Sequence, residues 1–595
     1  MMNTISDAAL NGADSPGRGE SFATLLGQWA GQFGAETAMT FLDYRTGADA
    51  RAVSLSWREL DDRVSAVALR AGELATAGQR AAIVAEQSLD YAVAFLGAIR
   101  AGLTAVPLFS PALPGHTGKL AAVLADCAPR LVLTTTGQLD GVRDLLAENE
   151  GALPGTLAVD TLEPVRGDRS WHRPHPDEPA YLQYTSGSTR TPAGVVLTHR
   201  NVLANAGQAC RAYGAETGCT TTVSWLPLYH DMGLILGIGA PMVGGLASVL
   251  MDPLAFLEQP GRWLRALSAN QGAISAAPNF AYAYSASRVS EREKNLLELS
   301  RVVSLINGSE NVLPSTIAKF QDAFAECGLR PEVHRASYGL AEATVLVSVT
   351  ETGKPPRQVT FDRDRLAAGA AVPADGDRST TLVSCGRPAG QWLCIVDTDG
   401  RPLPAGAVGE IWVSGPNVGE GYWRAPEASA STFGRTLAGP LADAGSIREG
   451  DGDERGWLAT GDLGTIFEGE LYLTGRLKDL IIVDGRNHYP QDVEQTVEAH
   501  PAVRPHSAGA FAISNGEGEA AVVVFERAKD LAADADLAGI AAALRAEVST
   551  RHGLKLHDVI FMPPGGVPRT SSGKISRALC RARYQDGEFA HRRLA

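Results

Sequence analysis

The chain has 595 residues, several times the roughly 100–200 residues of a typical domain, so we expect two or more domains. Apolar residues make up 45% and charged residues 20%, which excludes a wholly disordered, collagen-like or coiled-coil protein. The formal net charge of −14 disfavours a nucleic-acid binder that relies on overall positive charge, and a protein that acts on small molecules fits better.

The N-terminal segment and the cysteines indicate the compartment. Residues 1–20 carry no basic stretch followed by an apolar one, so we interpret them as a flexible tail and not as a signal peptide. The seven cysteines are scattered and include no Cys-x-x-Cys pair, which supports neither a disulfide framework nor a zinc site. We therefore expect a reducing compartment and a cytoplasmic location.

Short apolar runs alternate with helical patterns over most of the chain. Residues 80–87 are predicted to form a strand, residues 88–102 a helix with Ser88 as its N-cap, and residues 104–109 and 129–136 further strands. This strand–helix–strand order predicts βαβ units and a mainly parallel sheet, which is an α/β fold.

Residues 232–251 form an uncharged run that is long enough to span a bilayer. The run contains five glycines and Pro241, and it lies between Asp231 and Asp252. A buried helix followed by a buried strand explains it as well, and the rest of the chain is typical of a soluble protein. We expect no transmembrane segment.

The pattern changes near residue 380. Short strands between turn signals over 380–425 predict a small β-rich subdomain, and residues 435–456, rich in Gly, Asp and Ala, are predicted to form a loop. After residue 476, alternating strands and helices predict a small, mobile α+β domain. The predicted domains are a large N-terminal domain of several subdomains over 21–475, a hinge over 476–478 and the C-terminal domain over 479–595.

A loop rich in hydroxyl groups follows the apolar strand that ends at Tyr184. It offers hydroxyl and backbone N–H donors to phosphate oxygens, although a Ser/Thr-rich surface turn is the plain alternative. It is not a Walker A loop, since no Gly-Lys-Ser/Thr follows, and it is not a GxSxG nucleophile elbow. Its residues are Thr185, Ser186, Gly187, Ser188 and Thr189.

This loop resembles the phosphate-binding signature of the adenylate-forming superfamily, which includes acyl-CoA synthetases, adenylation domains of peptide synthetases and luciferases. Arg190 stands where that pattern has Gly, and Ala193 stands where it has Lys. Residues 184–195, with both departures, resemble the branch of fatty acyl-AMP ligases.

Further segments match the superfamily in the expected order, so the resemblance covers nearly the whole chain. Residues 225–233 and 275–280 resemble the acyl-pocket segment and the wall of the acyl tunnel, although a structural His230 and simple core are the alternatives. Residues 307–311 and 337–342 resemble the adenine-binding pair.

Two further segments match, 460–464, which resembles the ribose site, and 568–577, which resembles the C-terminal lysine motif. Three charged side chains in the matching segments suit the chemistry of a nucleotide. Glu342 offers a hard oxygen ligand for Mg²⁺, with an exposed helix-start carboxylate as the alternative. Asp462, between two glycines of a predicted turn, can accept both ribose hydroxyls, and otherwise it only ends a strand. Lys574, beside a glycine on a predicted mobile loop, can neutralise charge on the attacking carboxylate and the α-phosphate, and otherwise it lies in an exposed basic turn.

The resemblance implies a role for each matching residue. Catalysis is assigned to Lys574, Glu342 and His230, and the hinge to Lys478. ATP binding is assigned to Thr185, Ser186, Gly187, Ser188, Thr189, Ser309, Glu310, Ser337, Tyr338, Gly339, Asp462 and Arg476, the acyl pocket to His230, Asp231, Met232, Ala277 and Phe280, and Mg²⁺ binding to Glu342 and Thr185.

Two segments separate the fatty acyl-AMP ligases from acyl-CoA synthetases, the rival interpretation. Residues 351–377 look like the insertion of the ligase branch, which is thought to restrain domain movement, although a disordered surface loop is the alternative. Residues 484–490 resemble that branch more than the CoA ligases. A non-catalytic homologue would be expected to have lost Lys574, Asp462 or Glu342, and all three are present.

The resemblance implies ATP-dependent activation of a medium- or long-chain fatty acid to acyl-AMP. The acyl group would then pass to the phosphopantetheine thiol of an acyl carrier protein of a polyketide or lipid synthase. ATP and Mg²⁺ are the implied cofactors, and no nucleic-acid partner is implied. The scarcity of Lys, 8 residues against 45 Arg, and the abundance of Ala hint at a bacterial source.

Overall fold

The fold is taken from a computed structural model of the chain. The structure describes residues 21–47, 49–113, 117–147, 154–167, 170–185, 192–376, 378–441, 445–450, 452, 456–483, 486–514, 519–532, 534–570 and 573–589. The predicted tail, residues 1–20, and four residues of the predicted phosphate loop, 186–189, lie outside these ranges.

The helices of the described residues are numbered in chain order. They are α1 Phe22–Gln32, α2 Trp57–Leu74, α3 Leu89–Arg100, α4 Thr117–Cys127, α5 Leu139–Ala147, α6 His199–Tyr213, α7 Asp231–Leu234, α8 Ala240–Gly244, α9 Pro253–Glu258, α10 Gly261–Ala269, α11 Asn279–Arg288, α12 Glu291–Lys294, α13 Pro314–Phe324, α14 Arg363–Ala367, α15 Pro426–Thr432, α16 Pro490–Glu498, α17 Leu537–His552 and α18 Arg577–Gln585.

The strands are numbered in the same way. They are β1 Thr37–Asp43, β2 Arg51–Ser56, β3 Arg80–Val84, β4 Thr104–Leu108, β5 Leu131–Thr134, β6 Gly155–Ala158, β7 Pro179–Tyr184, β8 Gly194–Thr198, β9 Thr221–Ser224, β10 Ala247–Met251, β11 Ala273–Pro278, β12 Ser304–Gly308, β13 His334–Tyr338, β14 Ser348–Val349, β15 Gln358–Asp362, β16 Ser379–Val383, β17 Arg387–Pro388, β18 Trp392–Val396, β19 Gly409–Ser414, β20 Gly421–Tyr422, β21 Ser446–Arg448, β22 Leu458–Phe467, β23 Glu470–Arg476, β24 Ile481–Val483, β25 Arg486–His488, β26 Gly509–Ser514, β27 Glu519–Glu526 and β28 Leu556–Met562.

Two large sheets form the body of the N-terminal domain. Sheet A has the order β17-β14-β13-β12-β11-β9-β10-β1-β2, and its central strands from β13 to β1 are parallel. Sheet B has the order β20-β8-β7-β4-β3-β5-β6 and is parallel from β7 to β6. Parallel strands need crossover helices that cover both faces, and their residues are accordingly buried. The predicted α/β class is confirmed.

The predicted elements of the first half are present. The run 80–109 forms β3, α3 and β4, and Ser88 caps α3 by accepting a hydrogen bond from the Tyr91 N–H. The uncharged run 232–251 forms a helical segment, interrupted by one π-helical turn at Ile235–Gly239, followed by β10. None of the helices in the described part of the chain has the length and apolar character needed to cross a bilayer.

Sheet C is the predicted β-rich subdomain, an antiparallel sheet of order β21-β18-β19-β22-β23. The segment 435–456, predicted as a loop, contributes its edge strand β21. The 460–464 motif, predicted as a strand-ending turn, lies inside β22. Gly461 has φ +72°, and the pairing with β19 shifts register there, which is a β-bulge that redirects the next side chain.

The C-terminal domain is the predicted α+β unit. Strands β26, β27 and β28 form its sheet, with α16, α17 and α18 around it and the β24–β25 hairpin at its start. Its core is apolar and separate from that of the sheets of the large domain. The last strand of sheet C ends at Arg476, and the first strand of the small domain begins at Ile481.

A hairpin segment, defined here as residues 358–383, contacts both domains. It consists of β15, α14 and β16, so residues 358–367 of the predicted insertion 351–377 form a strand and a helix, and the weak strand signal over 358–361 is part of β15. Phe361 and Leu366 of this segment share an apolar cluster with Tyr472 of sheet C and Tyr489 of the small domain. The hairpin segment therefore packs on both domains at once.

Candidate functional site

The residues that were expected to bind adenine lie at the carboxyl ends of two parallel neighbours, β12 and β13. Ser309 and Glu310 follow β12, while Tyr338 ends β13 and Gly339 follows it. Position 339 requires glycine because an added Cβ would lie 1.6 Å from the Val345 carbonyl oxygen. Since ligands of open α/β sheets bind outside the carboxyl ends of the strands, the fold places these residues at a suitable edge.

Asp462 is held in place by two other predicted ATP-binding residues. The Tyr338 hydroxyl donates to Asp462 Oδ2 at 2.8 Å, and Arg476 Nε donates to Oδ1 at 2.7 Å. Asp462 and Arg476 face each other across β22 and β23. Burial and the neighbouring Asp462 carboxylate raise the pKa of the Tyr338 hydroxyl, which therefore remains a donor. The arrangement fixes a carboxylate beside the adenine edge, where ribose hydroxyls could donate to its remaining lone pairs.

Glu342 lies in a short 3₁₀ turn just after the adenine edge. Its Oε1 accepts a hydrogen bond of 2.8 Å from the Tyr422 hydroxyl. Burial raises the pKa of the Glu342 carboxyl, and the Tyr422 hydrogen bond opposes that shift. The exposed helix-start alternative does not describe this position, because the carboxylate is half-buried and engaged by another side chain.

The start of the phosphate loop lies near Glu342. Tyr184 pairs with Gly194 across β7 and β8, and the Gly194 carbonyl accepts a hydrogen bond of 2.7 Å from the Trp423 N–H. Trp423 directly follows Tyr422, which bonds Glu342. The half-buried Thr185 follows Tyr184 and is the one member of the predicted phosphate loop among the described residues.

The expected acyl-pocket segment begins at the N-terminus of α7. His230 is the N-cap residue of this turn, and Asp231 and Met232 are its first residues. Burial raises the pKa of the Asp231 carboxyl, against the lowering effect of Lys574. The Met232 sulfur accepts a hydrogen bond from Ser309 Oγ at 3.8 Å, which joins this segment to the adenine edge.

Glu310 connects the adenine edge to the expected wall of the acyl tunnel. Its Oε1 accepts a hydrogen bond of 2.6 Å from the Phe280 N–H. The Phe280 ring packs edge-on against Trp225, with the ring centroids 6.3 Å apart. Burial raises the pKa of the Glu310 carboxyl, and Lys574 opposes the shift. Residues predicted to line the acyl tunnel, residues predicted to bind adenine and Lys574 of the small domain thus meet at one carboxylate.

Lys574 reaches this site from the small domain. It follows a tight turn closed by the Gly573 N–H to the Thr570 carbonyl at 2.9 Å, and Arg569 donates to the Gly573 carbonyl at 2.8 Å. Burial lowers the pKa of the Lys574 ammonium, and the carboxylates of Glu310 and Asp231 oppose that shift. The described structure therefore has its two domains arranged with the lysine among the carboxylates of the large domain.

Three other predicted site residues lie within a sheet or at the domain junction. Ala277 is fully buried between the parallel strands of sheet A. The Ser337 hydroxyl donates to the Ser348 carbonyl at 3.0 Å and is engaged by β14. Lys478 is exposed in a short turn at the junction of the domains, apart from the carboxylates that surround Lys574.

Two groups next to the site were not found from the sequence. Tyr422 lies in the run 419–424, whose residue types gave no chemical signal, and its role follows from the strand pairing of β20 with β8. Arg577 donates to both carboxylate oxygens of Glu494 at 2.7 Å and to Asp479 at 3.1 Å, which ties the start of α18 to the domain junction. Arg577 is the last residue of the lysine motif 568–577, but no role was predicted for it there.

Comparison with known proteins supports the same assignment. A family profile described as AMP-binding enzyme matches residues 26–423, and a profile described as Disco-interacting protein 2-like, AMP domain, matches residues 478–593. The chain belongs to the AMP-binding enzyme family. The long-chain-fatty-acid–AMP ligase FadD32 of Mycolicibacterium smegmatis is 42% identical, with 96% of this chain and 95% of that protein covered.

Other members of the family give the same result. A Mycobacterium tuberculosis protein with the provisional name fatty-acid–CoA ligase fadD25 is 41% identical, with 93% of this chain and 96% of that protein covered. A solved structure from a study of fatty acyl-adenylate ligases from E. coli and L. pneumophila superposes with a TM-score of 0.83 at 30% identity, covering 96% of this chain and 98% of that one. The resemblance predicted from the motifs is confirmed.

Proposed function

We propose that the protein activates a medium- or long-chain fatty acid with ATP and forms acyl-AMP and pyrophosphate. The observation that carries the proposal is the position of Lys574, on the small domain, among Asp231, Glu310 and Asp462 of the large domain. A cation brought to that place can neutralise the negative charge of a carboxylate and a phosphate that must approach each other.

The reaction needs no nucleophile from the protein. An oxygen of the fatty acid carboxylate attacks the α-phosphorus, the bond from that phosphorus to the bridging oxygen breaks, and pyrophosphate leaves with the electron pair. Lys574 stabilises the charge that develops on the α-phosphate, and Asp462 with Arg476 orients the ribose. Holding both reactants in this geometry supplies much of the rate, since positioning converts a bimolecular step into an effectively unimolecular one.

We propose that Glu342 and Thr185 hold Mg²⁺. Glu342 suits this role because its carboxylate is half-buried and Tyr422 engages its Oε1. No group of three or more metal-ligating side chains occurs within the described ranges, which agrees with a cation bound by one or two protein oxygens and by substrate phosphates. When bound, Mg²⁺ would neutralise phosphate charge.

We propose that the acyl group then passes to the phosphopantetheine thiol of an acyl carrier protein that serves a polyketide or lipid synthase. The thiol sulfur attacks the acyl carbonyl carbon, AMP leaves, and the thiol proton is released. The second candidate function is acyl-CoA synthesis, which the provisional name of one relative favours. The contacts of the hairpin segment with the small domain make this second candidate the less favoured one, because they would make the arrangement that forms the CoA thioester rarer.

A cytoplasmic location belongs to the same proposal. All seven cysteines are free, and six of them are buried, which is typical of a protein from a reducing compartment. The domain limits of 21–475, 476–478 and 479–595 are kept as part of the proposal, with Lys478 as the pivot, because the regular strands stop on either side of this junction.

Mass spectrometry of the products of a fatty-acid panel tests the function. Each acid is incubated with ATP alone, with ATP and CoA, and with ATP and a phosphopantetheinylated carrier protein. Acyl-AMP in all three mixtures and acyl-carrier in the third are expected. Equal rates of acyl-CoA and acyl-AMP formation would favour the second candidate, and the absence of acyl-AMP with every acid would contradict the proposal.

A further inference from the structure

The carboxylate of Glu342 is held by a residue that lies far away in the sequence. Tyr422, in β20, donates its hydroxyl proton to Glu342 Oε1 at 2.8 Å. Burial and the adjacent carboxylate raise the pKa of the Tyr422 hydroxyl, so it remains a donor over the working range of pH. Its ring packs edge-on against Phe433, with the centroids 5.2 Å apart, so the hydroxyl is aimed by a fixed ring.

The backbone next to Glu342 is strained. Thr344 has φ +67° and ψ −64°, and the Val345 N–H donates to the Ala343 carbonyl at 2.8 Å, which is the rare γ-turn with a positive φ. A β-branched residue in this conformation is an outlier that surrounding structure must impose. Such strain occurs most often at functional sites, where it directs a side chain that a relaxed turn would direct elsewhere.

Buried side chains impose the turn. The Thr344 hydroxyl donates to the Asn417 carbonyl at 2.8 Å, and the Asn417 amide donates to the carbonyls of Ala343 and Leu346 at 3.1 and 3.2 Å. Asn205 of α6 exchanges two hydrogen bonds with the backbone of Leu346, at 2.8 and 3.0 Å. Thr344, Asn417 and Asn205 are fully buried, so each amide bond forms in a low-dielectric interior, where leaving it unmade is costly.

The same frame fixes the segment that carries Tyr422. Asn201 of α6 donates to the carbonyls of Pro416 and Val418, both at 2.8 Å. The Gly419 N–H donates to the Glu342 carbonyl at 2.9 Å. Tyr422 itself pairs with Val195 in β8, the strand that leaves the phosphate loop. One helix therefore holds both the Glu342 turn and the strand that returns beside the phosphate loop.

We propose that Tyr422 is a positioning residue for Glu342: its hydroxyl holds one carboxylate oxygen in a fixed place and leaves the other as the ligand for a divalent cation. The inference rests on the proposed function of Glu342. Groups that orient a metal ligand through a hydrogen bond typically change metal affinity or activity by roughly 10–100-fold when they are lost. Tyr422→Phe removes only the hydroxyl and keeps the ring that packs on Phe433.

The test measures Mn²⁺ binding directly. Free Mn²⁺ is followed by electron paramagnetic resonance during titration of the full-length protein in the presence of α,β-methylene-ATP. We expect Tyr422→Phe to weaken Mn²⁺ binding about ten-fold. Binding of the nucleotide analogue in EDTA and the melting temperature should stay unchanged, which shows that the variant is folded. Tyr584→Phe is the matched control, since it removes another buried tyrosine hydroxyl that donates to a carboxylate, Asp558, at 3.0 Å.

Glu342→Gln and the double variant separate the possible failures. If Glu342→Gln leaves Mn²⁺ binding unchanged, the proposed metal role of Glu342 is wrong. If Glu342→Gln weakens binding but Tyr422→Phe does not, only the positioning role is overturned. The double variant should bind no more weakly than Glu342→Gln alone, because the hydroxyl acts through that carboxylate. Additive losses would show that Tyr422 acts elsewhere, and they would overturn the inference.

Discussion

The small domain contacts the large domain at the Lys574 region and at the hairpin segment, among other places, and these two regions are built differently. At the Lys574 region the contact is electrostatic, and among the described residues no side chain accepts a hydrogen bond from the Lys574 ammonium. At the hairpin segment the contact is made of direct bonds. Arg363 donates to the Arg551 carbonyl at 2.9 Å, Arg486 donates to Asp364 at 2.5 Å, and Asn487 donates to the Ala367 carbonyl at 3.2 Å.

This contrast suits a division of roles in which the Lys574 region serves the proposed chemistry and the hairpin segment restrains the small domain. In the proposed reaction, the Lys574 ammonium would use its hydrogen-bonding capacity for the phosphate and carboxylate that react. The hairpin segment takes no part in the proposed reaction. It can therefore hold the small domain through packing and hydrogen bonds. Breaking the first region should affect the chemical step, and breaking the second should affect which products follow.

The largest effect is expected at Lys574. Lys574→Ala removes the cation that stabilises the developing charge, and a stabiliser of this kind contributes on the order of 10²–10³ in rate. ATP binding should remain nearly intact, because the adenine and ribose contacts lie in the other domain. Pyrophosphate release and nucleotide binding are measured in parallel. Lys529→Ala, at an exposed position of the same domain, is the control, and near-normal release by Lys574→Ala would remove the assigned role.

Glu342→Gln tests the metal site on the same side of the comparison. The change keeps the shape and the acceptor for Tyr422 but removes the charge, so Mg²⁺ should bind more weakly. The Mg²⁺ concentration for half-maximal acyl-AMP formation should rise about ten-fold or more. An unchanged Mg²⁺ titration would mean that Glu342 has a purely structural role, in which its hydrogen bond with Tyr422 only stabilises the folded chain.

Shortening the hairpin segment tests the restraint. If its contacts make a thioester-forming arrangement rare, their loss should raise acyl-CoA formation by about ten-fold for each 1.4 kcal/mol removed. Arg363→Ala, which loses the bonds to the small domain and to Ser379, should give a few-fold rise. Arg357→Ala is the matched control, because Arg357 of the adjoining chain pairs with Glu468 of the large domain.

The outcome of these two variants discriminates between explanations. A rise in acyl-CoA formation with Arg363→Ala, and none with Arg357→Ala, supports a restraint on the small domain. Equal rises would indicate a general loosening of the segment. Wild-type protein that makes acyl-CoA as fast as acyl-AMP would contradict the restraint itself, whereas a shortened variant with no CoA product would point to a missing CoA site as the cause.

The fold and the ligand edge could be predicted because local rules determine them. The alternation of short apolar runs with helical patterns predicts parallel sheets, and loops at the ends of their strands then carry the residues proposed to bind the nucleotide. The bulge at Gly461 was not predictable, since a glycine in a TGDLG string fits a turn equally well, and only pairing with β19 decides the matter. The Tyr422–Glu342 bond joins residues 80 positions apart, and no local pattern reports such a contact.

The smallest effect on the reaction is expected at Asp492, beside the hairpin segment, where the change affects stability. Burial raises the pKa of its carboxyl from 3.8 to about 6, although Arg363 opposes the shift. The folded protein therefore binds more protons than the unfolded chain between these values, and its stability falls as the pH rises from about 4 to 6. Asp492→Asn cannot ionise, so relative to wild type it should gain about 3 kcal/mol in free energy of unfolding at pH 7.5 and nothing near pH 4. Urea unfolding, followed by amide exchange in the small domain, measures the free energy of unfolding at both values of pH, with the exposed Asp530→Asn as the control.

An equal gain in stability at both values of pH would mean that packing, and not ionisation, is the cause. The charge of Asp492 would then have no effect on the contact with the hairpin segment.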